Sequence, residues 1–399
     1  MKLLHTSDWH LGKRLEQFSR HEEQKQVLQE ICEIADREQI DMIVVAGDLF
    51  DTINPPTESL ELFYKTLKTL SQNGKRPIIA IAGNHDSPDR IDAPDPLAKA
   101  CGIIFCGYPR YQIAPFTLDS GLSISKTDLG FIEIQINHLP PIRVLITPYA
   151  NELRLKTYFQ DDTVEMKDLL KTHWQSLADQ YCDSNGINLL VTHLFMMKIG
   201  DPKPDEPEDE KPILHLGGTQ IIETNLIPHQ IQYTALGHLH HMQHSQLNQT
   251  ITAYCGSPLA YTVNEAQKHV LIVELEPNQM AKLKKIPLKN GKPIFKKRFE
   301  DTKLALDWLN QNQDCYVELT IATDTFLTQE SRRQLIQAHS GIIAIIPELK
   351  NEPQSSQSQY QVDLNQSMHE LFIDYFRSEH QNQEPNQAIL SLFDEVLAN

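Results

Sequence analysis

Five short segments carry side chains suited to holding metal ions: Asp8-Trp9-His10, Gly47-Asp48, Gly83-Asn84-His85-Asp86, Thr192-His193 and Gly237-His238-Leu239-His240. Their donors are carboxylate oxygen, carboxamide oxygen and imidazole nitrogen, with no thiolate. That set suits Mn2+, Fe2+ or Zn2+ better than Ca2+. Asp8, His10, Asp48, Asn84, His193, His238 and His240 are too many ligands for one ion. They suit two ions that share a carboxylate and leave positions for water and substrate. Two ions about 3.5–4 Å apart can clamp the attacking and leaving oxygens of an in-line displacement at phosphorus. A lone Asp-x-His, or a lone Gly-Asp after a strand, is more often a turn than a ligand. The conjunction of all five segments points to metal-assisted chemistry on phosphate esters.

The elements that must position these residues are strands. Residues 2–6, 41–46, 78–82, 187–192 and 231–236 read as short β-branched or apolar runs, and each is followed at once by one of the five segments. In α/β sheets the carboxyl ends of strands are where ligands bind. Further strands are expected at 131–136, 142–147, 251–254 and 269–275. Helices are expected at 20–38, with Val27, Leu28, Ile31, Ile34 and Ala35 on one face, and at 57–72, where Leu60, Phe63, Tyr64, Leu67 and Leu70 recur at helical spacing. The class is α/β with layered sheets and flanking helices. After residue 276 the composition shifts. A helix near 301–311, a strand at 314–321, a helix at 328–338 and a strand at 341–347 form a small α+β module. Residues 350–366, rich in Gln, Ser, Asn and Pro, read as a linker. In the last segment Met368, Leu371, Phe372, Tyr375 and Phe376 share one helical face. Ile389, Leu390, Phe393, Val396 and Leu397 share another.

The formal charge is −17, from 53 acidic and 36 basic residues, and on its own this argues against a nucleic-acid ligand. Its distribution says more. Acids crowd into 201–210. Lys282, Lys284, Lys285, Lys289, Lys292, Lys296, Lys297 and Arg298 follow one another with no acid between them. Such a run either faces solvent or attracts phosphates through counterion release. The six cysteines show no Cys-x-x-Cys pair, so buried reduced thiols and a reducing compartment are expected. No apolar run approaches the roughly 20 residues that span a bilayer, and a cytoplasmic location is expected. There is no Walker A segment, so any ATP dependence would come from a partner.

The five segments together resemble the calcineurin-like metallophosphoesterase superfamily. More narrowly, His5-Thr6-Ser7-Asp8-Trp9-His10-Leu11-Gly12, Ala46-Gly47-Asp48-Leu49-Phe50-Asp51-Thr52 and Tyr254-Cys255-Gly256-Ser257-Pro258 are similar to the SbcD family of nuclease subunits. The resemblance implies a layered αββα sandwich at 1–275, a DNA-binding capping domain at 276–349, the linker 350–366 and a helical partner-binding segment at 367–399. It implies two Mn2+ per chain. Asp8, His10, Asp48 and His240 would hold one ion, and Asp48, Asn84, His193 and His238 the other. His85 would be the catalytic histidine that assists the leaving oxygen, and Asp86 would either orient it or cap a helix. The implied activity is 3′→5′ exonuclease action on double-stranded DNA ends and endonuclease action on hairpins and single strands. Lys284, Lys285, Lys296 and Lys297 are the candidate DNA contacts. Leu371, Phe372, Phe376, Phe393 and Leu397 are the candidate contacts with an SbcC-like ATPase bearing a coiled coil. A homodimer is also implied, for which the 57–72 helix is the candidate interface; its apolar stripe could equally be ordinary core. Two other readings share the metal motifs: a phosphodiesterase or phosphatase for small molecules or proteins, and a non-catalytic scaffold.

Overall fold

The computed structural model describes residues 1–109, 112–137, 139–149, 165–201, 221–263, 265, 267–323, 327–349, 368–379, 385, 389–390 and 393. Most of the acidic stretch, the 350–366 linker and the positions Val396 and Leu397 lie outside these residues.

Two sheets form the body. In the first, Lys2–Thr6, Met42–Val45, Ile78–Ile81 and Ile103–Cys106 run parallel. His269–Glu274 joins Lys2–Thr6 antiparallel, and Lys282–Pro287 follows it at the edge. In the second, Ile142–Thr147, Ile187–Thr192, Tyr233–Leu236 and Thr250–Tyr254 run parallel. Antiparallel strands extend both sides of that group, giving eight in all.

Side chains on a strand alternate between faces, and here both faces are apolar, as expected of parallel strands covered on two sides. Leu3, Met42, Val44, Ile79 and Ile81 meet Ile132, Val144, Leu189 and Tyr233 of the second sheet. Their neighbours Leu4, Ile43, Val45 and Ala80 face the other way, onto Val27, Leu28 and Ile31 of helix His21–Arg37 and Phe63 and Leu67 of helix Thr57–Ser71. Leu145, Leu190 and Leu236 pack beneath Leu170 and Trp174 of helix Met166–Tyr181. The order is therefore helix, sheet, sheet, helix: the αββα sandwich. Each fully buried Leu, Ile or Phe contributes about 1.5–3 kcal/mol through apolar area removed from water.

Ile294–Phe299, Tyr316–Thr323 and Ile342–Leu349 make a three-stranded sheet. It packs on helices Thr302–Gln311 and Gln329–Ala338 through Ala305, Leu309, Val317, Leu319, Ile321 and Leu335. Asp301 and Thr328 cap the two helices, accepting hydrogen bonds from Leu304 N and Ser331 N. The structure divides the basic run. Residues 282–287 complete the first sheet, and 294–298 open the three-stranded one. The intervening turn is fastened to helix His21–Arg37, where the Glu30 carboxylate accepts from Lys289 N and from both nitrogens of Asn290. Glu23 accepts from Lys292 N and Tyr316 Oη while also pairing with Arg20. By contacts, Met1–Ala322 and Leu327–Glu348 form one compact unit.

The second unit comprises Thr323–Phe326 and Leu349–Asn399. Its helix Met368–Glu379 carries Phe372, whose ring stacks on Phe393 at 4.0 Å between centroids. Among the described residues no helix is long and apolar enough to cross a membrane.

Candidate metal centre

Each of the five segments leaves the carboxyl end of a parallel strand and turns sharply. Asp8, His10, Asp48 and His238 have positive φ, at 54°, 44°, 48° and 100°. Left-handed backbone at a residue with a side chain costs about 1–3 kcal/mol and concentrates at functional sites. The turns are held by backbone pairing between them: Asp8 N to Gly47 O, His10 N to Asp48 O and Leu11 N to Leu49 O, at 2.9–3.1 Å. Two glycines let the loops close up. A Cβ at Gly83 would collide with Asp48 Oδ1, and one at Gly237 with Ala46 O.

The result is one buried cluster. Asp8, His10, Asp48 and His193 are wholly inaccessible, and His238 and His240 nearly so. His10 Nε2 lies 3.0 Å from His240 Nε2 and 3.7 Å from Asp48 Oδ2. On its other side Asp48 Oδ2 is 3.1 Å from His193 Nε2. Asn84 Oδ1 completes the row, 3.0 Å from His193 Nε2 and 3.1 Å from His238 Nδ1. Donor atoms of Asp8, His10 and His240 converge in one group, and those of Asp8, Asp48 and His193 in another. Asp48 stands between the two sides.

The donor set fits divalent cations. Burial pushes the Asp8 carboxyl up, since a charge is poorly solvated there. Burial works to lower His193, but the Asp48 and Asp8 carboxylates outweigh it and push the imidazole up to about 9. Buried carboxylates on this scale call for positive charge nearby. His193 Nδ1–H donates to Ala46 O at 2.8 Å, which turns the other ring nitrogen towards Asp48 and Asn84. Asp8 is oriented by Ser7 Oγ at 2.5 Å and by His238 N at 2.8 Å.

His85 lies beside this row. Its ring is edge-on to His10 at 4.9 Å, its N–H donates to Asp48 Oδ1, and its Nδ1–H donates to Asp51 O at 2.8 Å. Asp86 takes a role that differs from both expected ones. Its carboxylate accepts from Leu49 N, Phe50 N and Gly83 N at 2.8–3.0 Å, tying the Asp48 loop to the Asn84 loop. The His85 ring is aligned by the Asp51 carbonyl instead. Helix Pro88–Asp92 starts after Ser87 without a side-chain cap.

Sequence reasoning gives Asp51 no role. Its carbonyl aligns His85, and its carboxylate sits 3.2 Å from Lys13 Nζ and 3.7 Å from His10 Nδ1. The signal lies in the same segment, two residues past Leu49. Tyr261 and Lys268 also escape a reading by motif; they contact the backbone of Trp9 and His240.

The four lysines expected to meet DNA lie apart from this row of ligands. Lys284 is paired with Glu38 at 2.8 Å and Lys296 with Glu318 at 2.7 Å. Lys297 lies over the rings of Phe295 and Trp308, and Lys285 is exposed on the edge strand. Of the expected partner contacts, Leu371, Phe372, Phe376 and Phe393 belong to the second unit, and Leu397 is outside the described residues.

The sequence matches the calcineurin-like phosphoesterase family over residues 1–242. It is 33% identical to a Bacillus subtilis (strain 168) protein described as the SbcD component of nuclease SbcCD, across 99% of this chain and 97% of that one. Proteins of the same description from Staphylococcus epidermidis and Staphylococcus saprophyticus are 29% and 30% identical. These two alignments each span 72% of this chain, and 70% and 69% of theirs.

Proposed function

Because the chain belongs to the calcineurin-like phosphoesterase family, and within it to the SbcD nucleases, we propose that it is a Mn2+-dependent DNA nuclease that uses two ions and works with an SbcC-like ATPase. The proposed activities are 3′→5′ exonucleolysis of double-stranded ends and endonucleolysis of hairpins and single strands. The observation that carries this reading is the convergence of carboxylate, carboxamide and imidazole donors from five strand ends on either side of Asp48.

Asp8, His10, Asp48 and His240 would hold one ion, and Asp48, Asn84, His193 and His238 the other. Such ions supply an acidified water and positive charge against the phosphate oxygens. The chain's own residues do the rest. Asp48 sets the separation of the two halves, because its carboxylate faces both. His85 donates the proton that the departing 3′ or 5′ alkoxide needs. Asp51 O accepts from its Nδ1–H, so the proton passed to the alkoxide would be carried on Nε2. Proton donation of this kind is worth about 10²–10⁴-fold.

The deciding experiment is cleavage of hairpin and blunt-ended DNA with Mn2+, run beside elemental analysis of the protein. Wild type should carry two Mn2+ and cut both substrates. Asp48→Ala should lose both ions and all cutting, and full occupancy in that variant would refute the shared-ligand reading. In this reading Lys285 and Lys297, on strands Lys282–Pro287 and Ile294–Phe299, contact DNA phosphates. Replacing Lys285 and Lys297 with Gln should lower the salt slope of DNA binding by up to about two, since each phosphate contact contributes roughly 0.9. An unchanged slope would mean that these lysines only face solvent. Lys284→Gln and Lys296→Gln should change it less, because Glu38 and Glu318 already neutralise those ammonium groups.

A further inference from the structure

The loop that follows strand Thr250–Tyr254 takes no part in the reaction described above, yet its side chains reach one half of the metal cluster. Tyr261 is buried, and its hydroxyl donates to Trp9 O at 2.5 Å. Trp9 is the residue between Asp8 and His10, both of which have positive φ. The Tyr261 ring also stands edge-on to His10 at 5.5 Å and to His240 at 5.8 Å. Lys268 comes at the same half from the other side. Its ammonium donates to His240 O at 3.0 Å and to Ser257 Oγ at 2.9 Å, and it pairs with the Glu265 carboxylate. Ser257 N donates to His240 O as well, at 3.2 Å. Glu265 is in turn fixed by Tyr261 N, Thr262 N and Thr262 Oγ1.

Two unrelated parts of the chain, 8–10 and 240, thus have their backbone carbonyls gripped from a single loop. The grip falls where it is needed. A peptide carbonyl flanked by left-handed residues has neighbouring conformations of lower energy, and a hydrogen bond to it disfavours those alternatives. None of the contacts just named is with Asn84, His193 or His238.

We propose that Tyr261 and Lys268 are positioning residues that hold His10 and His240 in the geometry for one divalent ion. Outer contacts that orient metal ligands typically change affinity about 10–100-fold when removed. The inference rests on the two-ion reading above.

The test is calorimetric titration of the full chain with Mn2+, comparing wild type, Tyr261→Phe and Lys268→Met, together with the thermal midpoint of each metal-free protein. Tyr261→Phe keeps the ring and deletes the hydroxyl's contacts with Trp9 O and the Gln24 side chain. It should weaken one of the two ions about tenfold or more, leave the other unchanged and leave the metal-free midpoint close to wild type. Lys268→Met should weaken the same ion. If burying a methionine there prevents folding, Tyr261→Phe decides alone. In a His240→Ala background, Tyr261→Phe should not change the affinity of the ion that remains. Equal weakening of both ions, or no change in either, would overturn the assignment. A wild type that binds fewer than two ions would overturn the two-ion reading and this inference with it. Two ions and full cutting, with unaltered affinities in the variants, would overturn this inference alone.

Discussion

At the scale of single residues, His85 is held beside the proposed ligands by two hydrogen bonds. One ring nitrogen donates to a backbone carbonyl, and the residue's own N–H donates to Asp48. It is anchored to the cluster without joining the row of donors around Asp48. His85→Gln should therefore lower cutting by about 10²–10⁴-fold, with two Mn2+ still bound and DNA affinity unchanged. Cutting at the wild-type rate would remove the proton-donor role. The proposed donor residues can be picked out in the sequence because each lies within four residues of the end of a largely apolar strand, so their convergence needs only the rule about strand ends. The supports around them are not. Asp86 braces N–H groups 36 and 37 positions back, and Tyr261 holds a carbonyl 252 positions away. Nothing local marks a side chain whose partner is a backbone atom of another loop.

At the scale of elements, helix Thr57–Ser71 shows how one apolar stripe can be read in two ways. Phe63, Leu67 and Leu70 lie in the core, with the Phe63 ring near those of Trp9, Phe50 and Phe105. Tyr64 is the exposed member, at 38%. Periodicity fixes which residues share a face and is silent on whether that face meets the body or a second copy. Phe63→Ala should thus lower stability by about 3–5 kcal/mol, read as a fall in the denaturant midpoint. Tyr64→Glu should leave that midpoint unchanged while dissociating the proposed homodimer in sedimentation. A Tyr64→Glu protein that still sediments as a dimer would move the interface elsewhere. The basic run shows a second limit. Its sign and length can be read from the residues alone, but the ion pairs with Glu38 and Glu318 join residues far apart in the chain, and the split between two sheets follows from strand pairing.

At the scale of the whole molecule, the chain is strongly acidic, and DNA is its proposed substrate. Screening limits the reach of exposed charge to about 8–10 Å at physiological salt, so distant carboxylates count for little, while Glu38 and Glu318 cancel part of the lysine charge locally. The second unit has its own logic. Phe372 and Phe393 stack on each other, and helix Met368–Glu379 is only 12 residues long. Helices of that length are marginal in water by themselves, and the proposed ATPase partner would receive this one in an apolar groove of a coiled coil. Truncation after Gln366 should leave a folded, metal-loaded nuclease with its basal Mn2+-dependent cutting, and should abolish co-purification with the ATPase and ATP-stimulated cutting. Retention of the ATPase at full affinity by the truncated chain would place the docking surface elsewhere.

The left-handed backbone at Asp8, His10, Asp48 and His238 sets durability against chemistry. Glycine would occupy those four conformations without strain, but no glycine can offer a carboxylate or an imidazole. Each of these four proposed ligands thus costs the fold about 1–3 kcal/mol, against a total stability of roughly 5–15 kcal/mol for a typical protein. Selection for thermal robustness alone would favour glycine at these positions, at the expense of the proposed site. The thick apolar layers on both sides of each sheet are what allow so unfavourable a set of turns to persist.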